Sequence, residues 1–100
     1  MKKIKAKTTL YDSSEYLDSE EAMQAYLEEA LETNDLAFVS EALGTLARAR
    51  GITHIAKEAG LSRESLYKAL SADGNPEFGT VLKVLNALGF KFSVASVGRV

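Results

Sequence analysis

The chain has 100 residues, 46% hydrophobic and 26% charged, a size and balance suited to one soluble globular domain with a modest core. It has no cysteine and a single histidine, His54, which excludes disulfides, thiolate metal sites and multi-histidine clusters. Net charge is −2, but the charges are segregated: from Tyr11 to Leu43 every charged residue is acidic, while Lys2, Lys3, Lys5 and Lys7 precede that segment. Beyond it, Arg48, Arg50, Lys57, Arg63, Lys68, Lys83, Lys91 and Arg99 outnumber Glu58, Glu64, Asp73 and Glu77. Such a distribution suits two faces that meet different partners. No apolar run approaches the ~18 residues of a membrane span. The basic N-terminus lacks the apolar stretch of a signal peptide, so the expected location is the cytoplasm, with no membrane partner.

At the N-terminus, Ile4, Ala6, Thr8 and Leu10 alternate with Lys3, Lys5, Lys7 and Thr9, the period of a short strand or extended arm. The arm covers residues 1–17. An acidic helical hairpin is expected over residues 18–51. Its first helix begins at Asp18 or Ser19, and Asp18 with Glu21 resembles a capping box. Met23, Tyr26, Leu27, Ala30 and Leu31 form one face of that helix; Glu21, Gln24, Glu28 and Glu32 form the other. Asn34 or Asp35 caps the second helix, whose stripe is Leu36, Val39, Leu43, Leu46 and Ala47, and Gly51 ends it.

Residues 52–71 carry the most specific pattern in the chain. Two short helices, over residues 53–59 and 62–71, are separated only by Gly60 and Leu61. A helix-turn-helix needs a small residue where its helices cross and a positive-φ residue in the turn; Ala56 and Gly60 supply them. Ile52, Ile55, Ala59, Leu61, Leu66 and Ala69 fill the angle, and Ser62 caps the second helix. Arg63, Glu64, Ser65, Tyr67 and Lys68 then project outward as a recognition helix would. Arg63 can pair with guanine and Glu64 with a cytosine amino group; Lys68 can reach a guanine or a phosphate. Ser62, Ser65 and Tyr67 can bond phosphate oxygens. The competing readings are a plain helical corner, a Glu64 that merely partners Lys68 at i,i+4, and a His54 that is an ordinary surface histidine.

In residues 72–100, Pro76 is the expected first residue of a last helix bearing Phe78, Val81, Leu82, Leu85 and Leu88, which Gly89 ends. Phe90, Phe92 and Val94 alternate with Lys91, Ser93 and Ala95, suggesting a closing strand that pairs either within the chain or with a second copy. The expected fold is one all-α domain of about five helices with a lambda-repressor-like helix-turn-helix and short terminal strands. Nothing resembles a catalytic nucleophile with its base or a phosphate-binding glycine loop, so neither an enzyme nor a cofactor or metal site is expected.

Several segments together resemble the family of probable addiction-module antidote proteins, which carry a phage-repressor-like (Xre-type) helix-turn-helix. These are Tyr16-Leu17-Asp18, the run from Ala25 to Leu31, Ala42-Leu43-Gly44, Ala49-Arg50-Gly51, the run from Gly60 to Tyr67, Gly74-Asn75-Pro76 and Ala87-Leu88-Gly89. The resemblance implies an antitoxin that neutralises a RelE-like toxin and autorepresses their shared operon by binding operator DNA as a dimer. Under it, Glu21, Glu28 and Glu32 become toxin-binding candidates; the plainer reading is a solvated helix face. The alternative functions are a stand-alone helix-turn-helix transcription regulator, of phage or other descent, and an adaptor or structural protein that uses the corner for protein contacts.

Overall fold

The computed structural model describes residues 17–98. The expected strand over residues 4–10 lies outside them. Among the described residues the fold is all-helical, with five helices: α1 (Glu20–Glu32), α2 (Leu36–Arg50), α3 (Ile52–Ala59), α4 (Arg63–Ala69) and α5 (Phe78–Leu88). None is long and apolar enough to cross a membrane.

Local chemistry sets the helix boundaries. Ser19, not Asp18, caps α1: the Ala22 amide donates to Ser19 Oγ at 3.1 Å, so the Asp18–Glu21 capping box does not form. A serine hydroxyl one residue nearer the first turn meets the orphan amide directly. Asp35 caps α2, accepting from the amides of Ala37 at 3.0 Å and Phe38 at 3.4 Å. The last helix also starts later than Pro76. Glu77 keeps extended backbone, with ψ 153°, and its carbonyl accepts the first helical bond from the Val81 amide at 3.0 Å.

α2 is the hub of the molecule. It packs against all four other helices, and residues 42–47 are buried in an unbroken run, so the middle of this helix is enclosed on every side, while Phe38, Glu41 and Arg48 nearer its ends are exposed. Leu43, Leu46 and Ala47 carry the expected stripe, whereas Leu36 at the helix start is exposed. α1 contributes Met23, Leu27 and Ala30 to the core; Tyr26 is half-buried and Leu31 is exposed. α3 packs most extensively on α5, joining Ile55, Ala56 and Ala59 to Val84, Leu85 and Leu88.

The C-terminal strand expected around Phe92 and Val94 does not form among the described residues. A lone strand has no ladder partner and is not stable in water. Instead the Phe92 ring stacks on Phe78, with centroids 5.8 Å apart and planes 8° from parallel.

Candidate nucleic-acid interface

α3 and α4 are joined by Gly60, Leu61 and Ser62. Gly60 sits at φ 73°, ψ 31°, where a side chain is disfavoured, and this left-handed step closes the end of α3. The Leu61 amide reaches back to the Ala56 carbonyl at 2.8 Å and the Gly60 amide to Lys57 at 3.1 Å, the paired bonds of a Schellman turn. Ser62 then resumes extended backbone, and its Oγ accepts from the Ser65 amide at 3.0 Å, starting α4. Ala56, the small residue expected at the crossing, is buried.

α4 is held by little. Leu66 is its one buried residue, and Leu70, just past its end, is buried as well. Full burial of a leucine side chain contributes roughly 1.5–3 kcal/mol, so these two side chains are the principal anchors of the helix. A third device is Gly44 on α2. A Cβ there would lie 2.5 Å from the Leu70 carbonyl oxygen, so only glycine lets the end of α4 seat on the hub helix.

Apart from Ala69, which packs half-buried against the core, the rest of α4 faces out. Ser62, Arg63, Glu64, Ser65, Tyr67 and Lys68 are all exposed, giving one continuous polar surface. The Arg63 guanidinium lies 6.0 Å from the centroid of the Tyr67 ring, at the outer reach of a cation–π contact. Glu64 and Lys68, one turn apart, form no ion pair; among the described residues the one ion pair joins Arg50 to Glu20 at 3.8 Å. Both charges are therefore available to a partner. His54 is exposed near the start of α3.

Sequence reasoning missed Arg48. It borders a cleft of about 260 Å³ where α1, α2 and α4 meet, lined also by Tyr26, Phe38, Thr45, Tyr67 and Leu70. Arg48 donates to Thr45 Oγ1 at 3.2 Å, and Thr45 donates in turn to the Glu41 carbonyl at 3.1 Å. Arg48 thus lines the same cleft as Glu41 and Tyr67. Its charge is visible in the sequence, but only the packing of α2 against α4 brings it to this surface.

The acidic set lies elsewhere. Glu21, Glu28 and Glu32 are exposed along one stripe of α1, opposite Met23, Leu27 and Ala30. Gln24 Nε2 donates to Glu28 Oε2 at 3.4 Å. α1 packs on α2, which also packs on α3 and α4.

The model of a family described as "Probable addiction module antidote protein" matches residues 7–96. A protein of Haemophilus influenzae described as "Uncharacterized protein" is 51% identical over 84 residues, covering 84% of this chain and 87% of that one. No solved structure matches the chain. The family match takes in the acidic helix, the α3–α4 corner and the C-terminal segment alike. The chain belongs to the family of probable addiction module antidote proteins.

Proposed function

We propose that this protein is a DNA-binding antitoxin of a type II toxin–antitoxin system. It captures a RelE-like toxin through α1, binds operator DNA through α4 as a homodimer, and so represses its own operon. Membership of the antidote family supports a cognate toxin as partner. The observation that carries the DNA half is the exposure of all six polar residues from Ser62 to Lys68 on a helix that begins at a serine cap and buries only Leu66.

In a helix-turn-helix the N-terminal turn of the second helix meets base edges. Arg63 stands there and reads a guanine, while Ser62, Ser65 and Tyr67 hold phosphates and Lys68 reaches a guanine or a phosphate from the next turn. Glu64 accepts from a cytosine amino group, free of any intrahelical partner. Arg48 adds a phosphate contact on the flank.

The test is titration of labelled DNA from upstream of the gene. The wild-type protein is expected to bind with an affinity that falls steeply as salt rises. Arg63→Ala should cost about 1–3 kcal/mol on the specific site and relax the preference at one base pair. Unchanged affinity and unchanged sequence preference would remove Arg63 from the reading surface. Operator binding without capture of the neighbouring gene's product would favour a stand-alone regulator.

A further inference from the structure

A cleft of about 340 Å³ lies between α1 and the segment that follows α5. Leu27, Glu28 and Leu31 line it from α1, Leu85 from α5, and Lys91 and Phe92 from the segment beyond. Leu27 and Leu85 are buried, whereas Leu31 and Phe92 are 37% and 38% exposed. Leu31 is the one large apolar side chain that α1 leaves exposed. Two contacts within the chain fix the wall opposite α1: the Phe90 amide donates to the Leu85 carbonyl at 2.8 Å, and the Phe92 ring stacks on Phe78. Glu28 and Lys91 share the cleft without forming an ion pair among the described residues.

We propose that this cleft is the apolar anchor of the toxin contact: it takes a large apolar side chain of the toxin, beside a lysine or arginine that pairs with Glu28. The proposal rests on the reading of α1 as the toxin-binding helix and names where along it the affinity arises. Glu21, Glu28 and Glu32 are exposed and favour a basic partner, but exposed ion pairs contribute little and are screened by salt. A tight contact therefore needs an apolar side chain buried in a pocket beside those charges. α1 reaches the 260 Å³ cleft through Tyr26 alone, and Arg48 in its lining would repel a basic partner. The cleft at Leu31 instead holds Glu28, a member of the acidic stripe itself. Lys91 then sets the orientation. On its side of the anchor the toxin presents an acidic or neutral residue, since a second basic one would meet an ammonium group. Charges of both signs around one apolar pocket fix the register of the partner segment.

The test is titration of full-length variants with the product of the neighbouring gene, at low and at high salt. Leu31→Glu is the informative substitution, because it removes apolar lining while adding a carboxylate to an acidic helix. A contact held by charge alone binds that variant at least as well as wild type. A contact anchored in the cleft loses roughly tenfold or more in affinity, at high salt as at low. Phe92→Ser, on the opposite wall, should weaken capture likewise, and both variants should keep their helical circular dichroism and operator binding. If Leu31→Glu loses its helical signal, Phe92→Ser decides alone. Capture that falls in Glu28→Lys but not in Leu31→Glu or Phe92→Ser overturns the anchor and leaves α1 as the toxin helix. Capture unchanged in all three overturns both readings. With capture retained, a lowered melting temperature in the cleft variants gives the cleft to this chain's own residues 1–16, and altered sedimentation without toxin gives it to a second copy; either overturns the proposal.

Discussion

At the scale of single residues, two positions on α2 make opposite predictions. Gly44 faces the backbone of Leu70, and a Cβ would meet that carbonyl oxygen at 2.5 Å. Gly44→Ala gains about 1 kcal/mol of helix propensity. It also forces two backbones apart, an overpacking cost of about 1–3 kcal/mol, and a carbonyl cannot swing aside as a flexible side chain does. The expected result in denaturant melts is a net loss of stability, with weaker DNA binding as α4 loses its seat; unchanged stability would show that the helices part without cost. Ser40, also buried on α2, has an Oγ with no hydrogen-bond partner among the described residues. An unsatisfied buried hydroxyl is destabilising, so Ser40→Ala should raise stability by about 1 kcal/mol. A loss of stability on that substitution would mean that the hydroxyl is satisfied. Neither role was legible in the sequence. Gly44 appears there only as part of a family-like motif, because Leu70 is far along the chain. Gly60 and Ser62 were legible, because a left-handed turn and an N-cap act on backbone within a few residues.

The same contrast holds for whole elements. The α3–α4 corner could be read in advance because every demand it makes is local: a small crossing residue, a positive-φ turn, a cap and apolar fillers at fixed offsets. Helix starts were read to within one or two residues, and the misses at Asp18 and Pro76 reflect a choice between neighbouring residues that both suit a helix start. The C-terminal strand is not formed among the described residues, because period-2 alternation specifies a pattern of faces whereas a strand also requires a second strand beside it. Leu36 was misread because the buried length of α2 is set by how far α3, α4 and α5 reach along it. The corner itself makes a clear prediction. Ala56 is 3% exposed, and its carbonyl receives the Leu61 amide. Ala56→Leu would wedge α3 from α4 at a cost of about 1–3 kcal/mol. In a domain of this size that corresponds to a lowering of Tm by roughly 4–8 °C for each kcal/mol. A melting temperature and DNA affinity both equal to wild type would show that the two helices do not cross at Ala56.

Across the whole molecule, the described part of the acidic segment forms α1 and the start of α2, while Arg63 and Lys68 stand on α4 and Arg48 lines the cleft beside it. Arg50 instead pairs with Glu20 of α1 at 3.8 Å, and Lys91 lines a cleft with Glu28. An acidic helix is repelled by phosphate, so on the proposed reading α1 is held off a duplex bound by α4 and attracts a basic toxin. α2, which packs against the other four helices, ties α1 and α4 together. On this account the two partners need not compete for the same side chains. Opposite charges at the toxin contact act mainly on association rate, which falls with salt, while apolar burial around them supplies much of the affinity.

The central claim is this division of labour, and charge reversal on α1 tests it most directly. A variant with Glu21, Glu28 and Glu32 all changed to lysine is titrated in parallel against the product of the neighbouring gene and against operator DNA. All three side chains are exposed, so the fold should be retained. The account predicts slower capture of the toxin, with operator binding intact or strengthened by added attraction for phosphate. Toxin binding that survives unchanged while operator binding collapses would contradict it, and would place the acidic helix in the DNA-binding assembly instead.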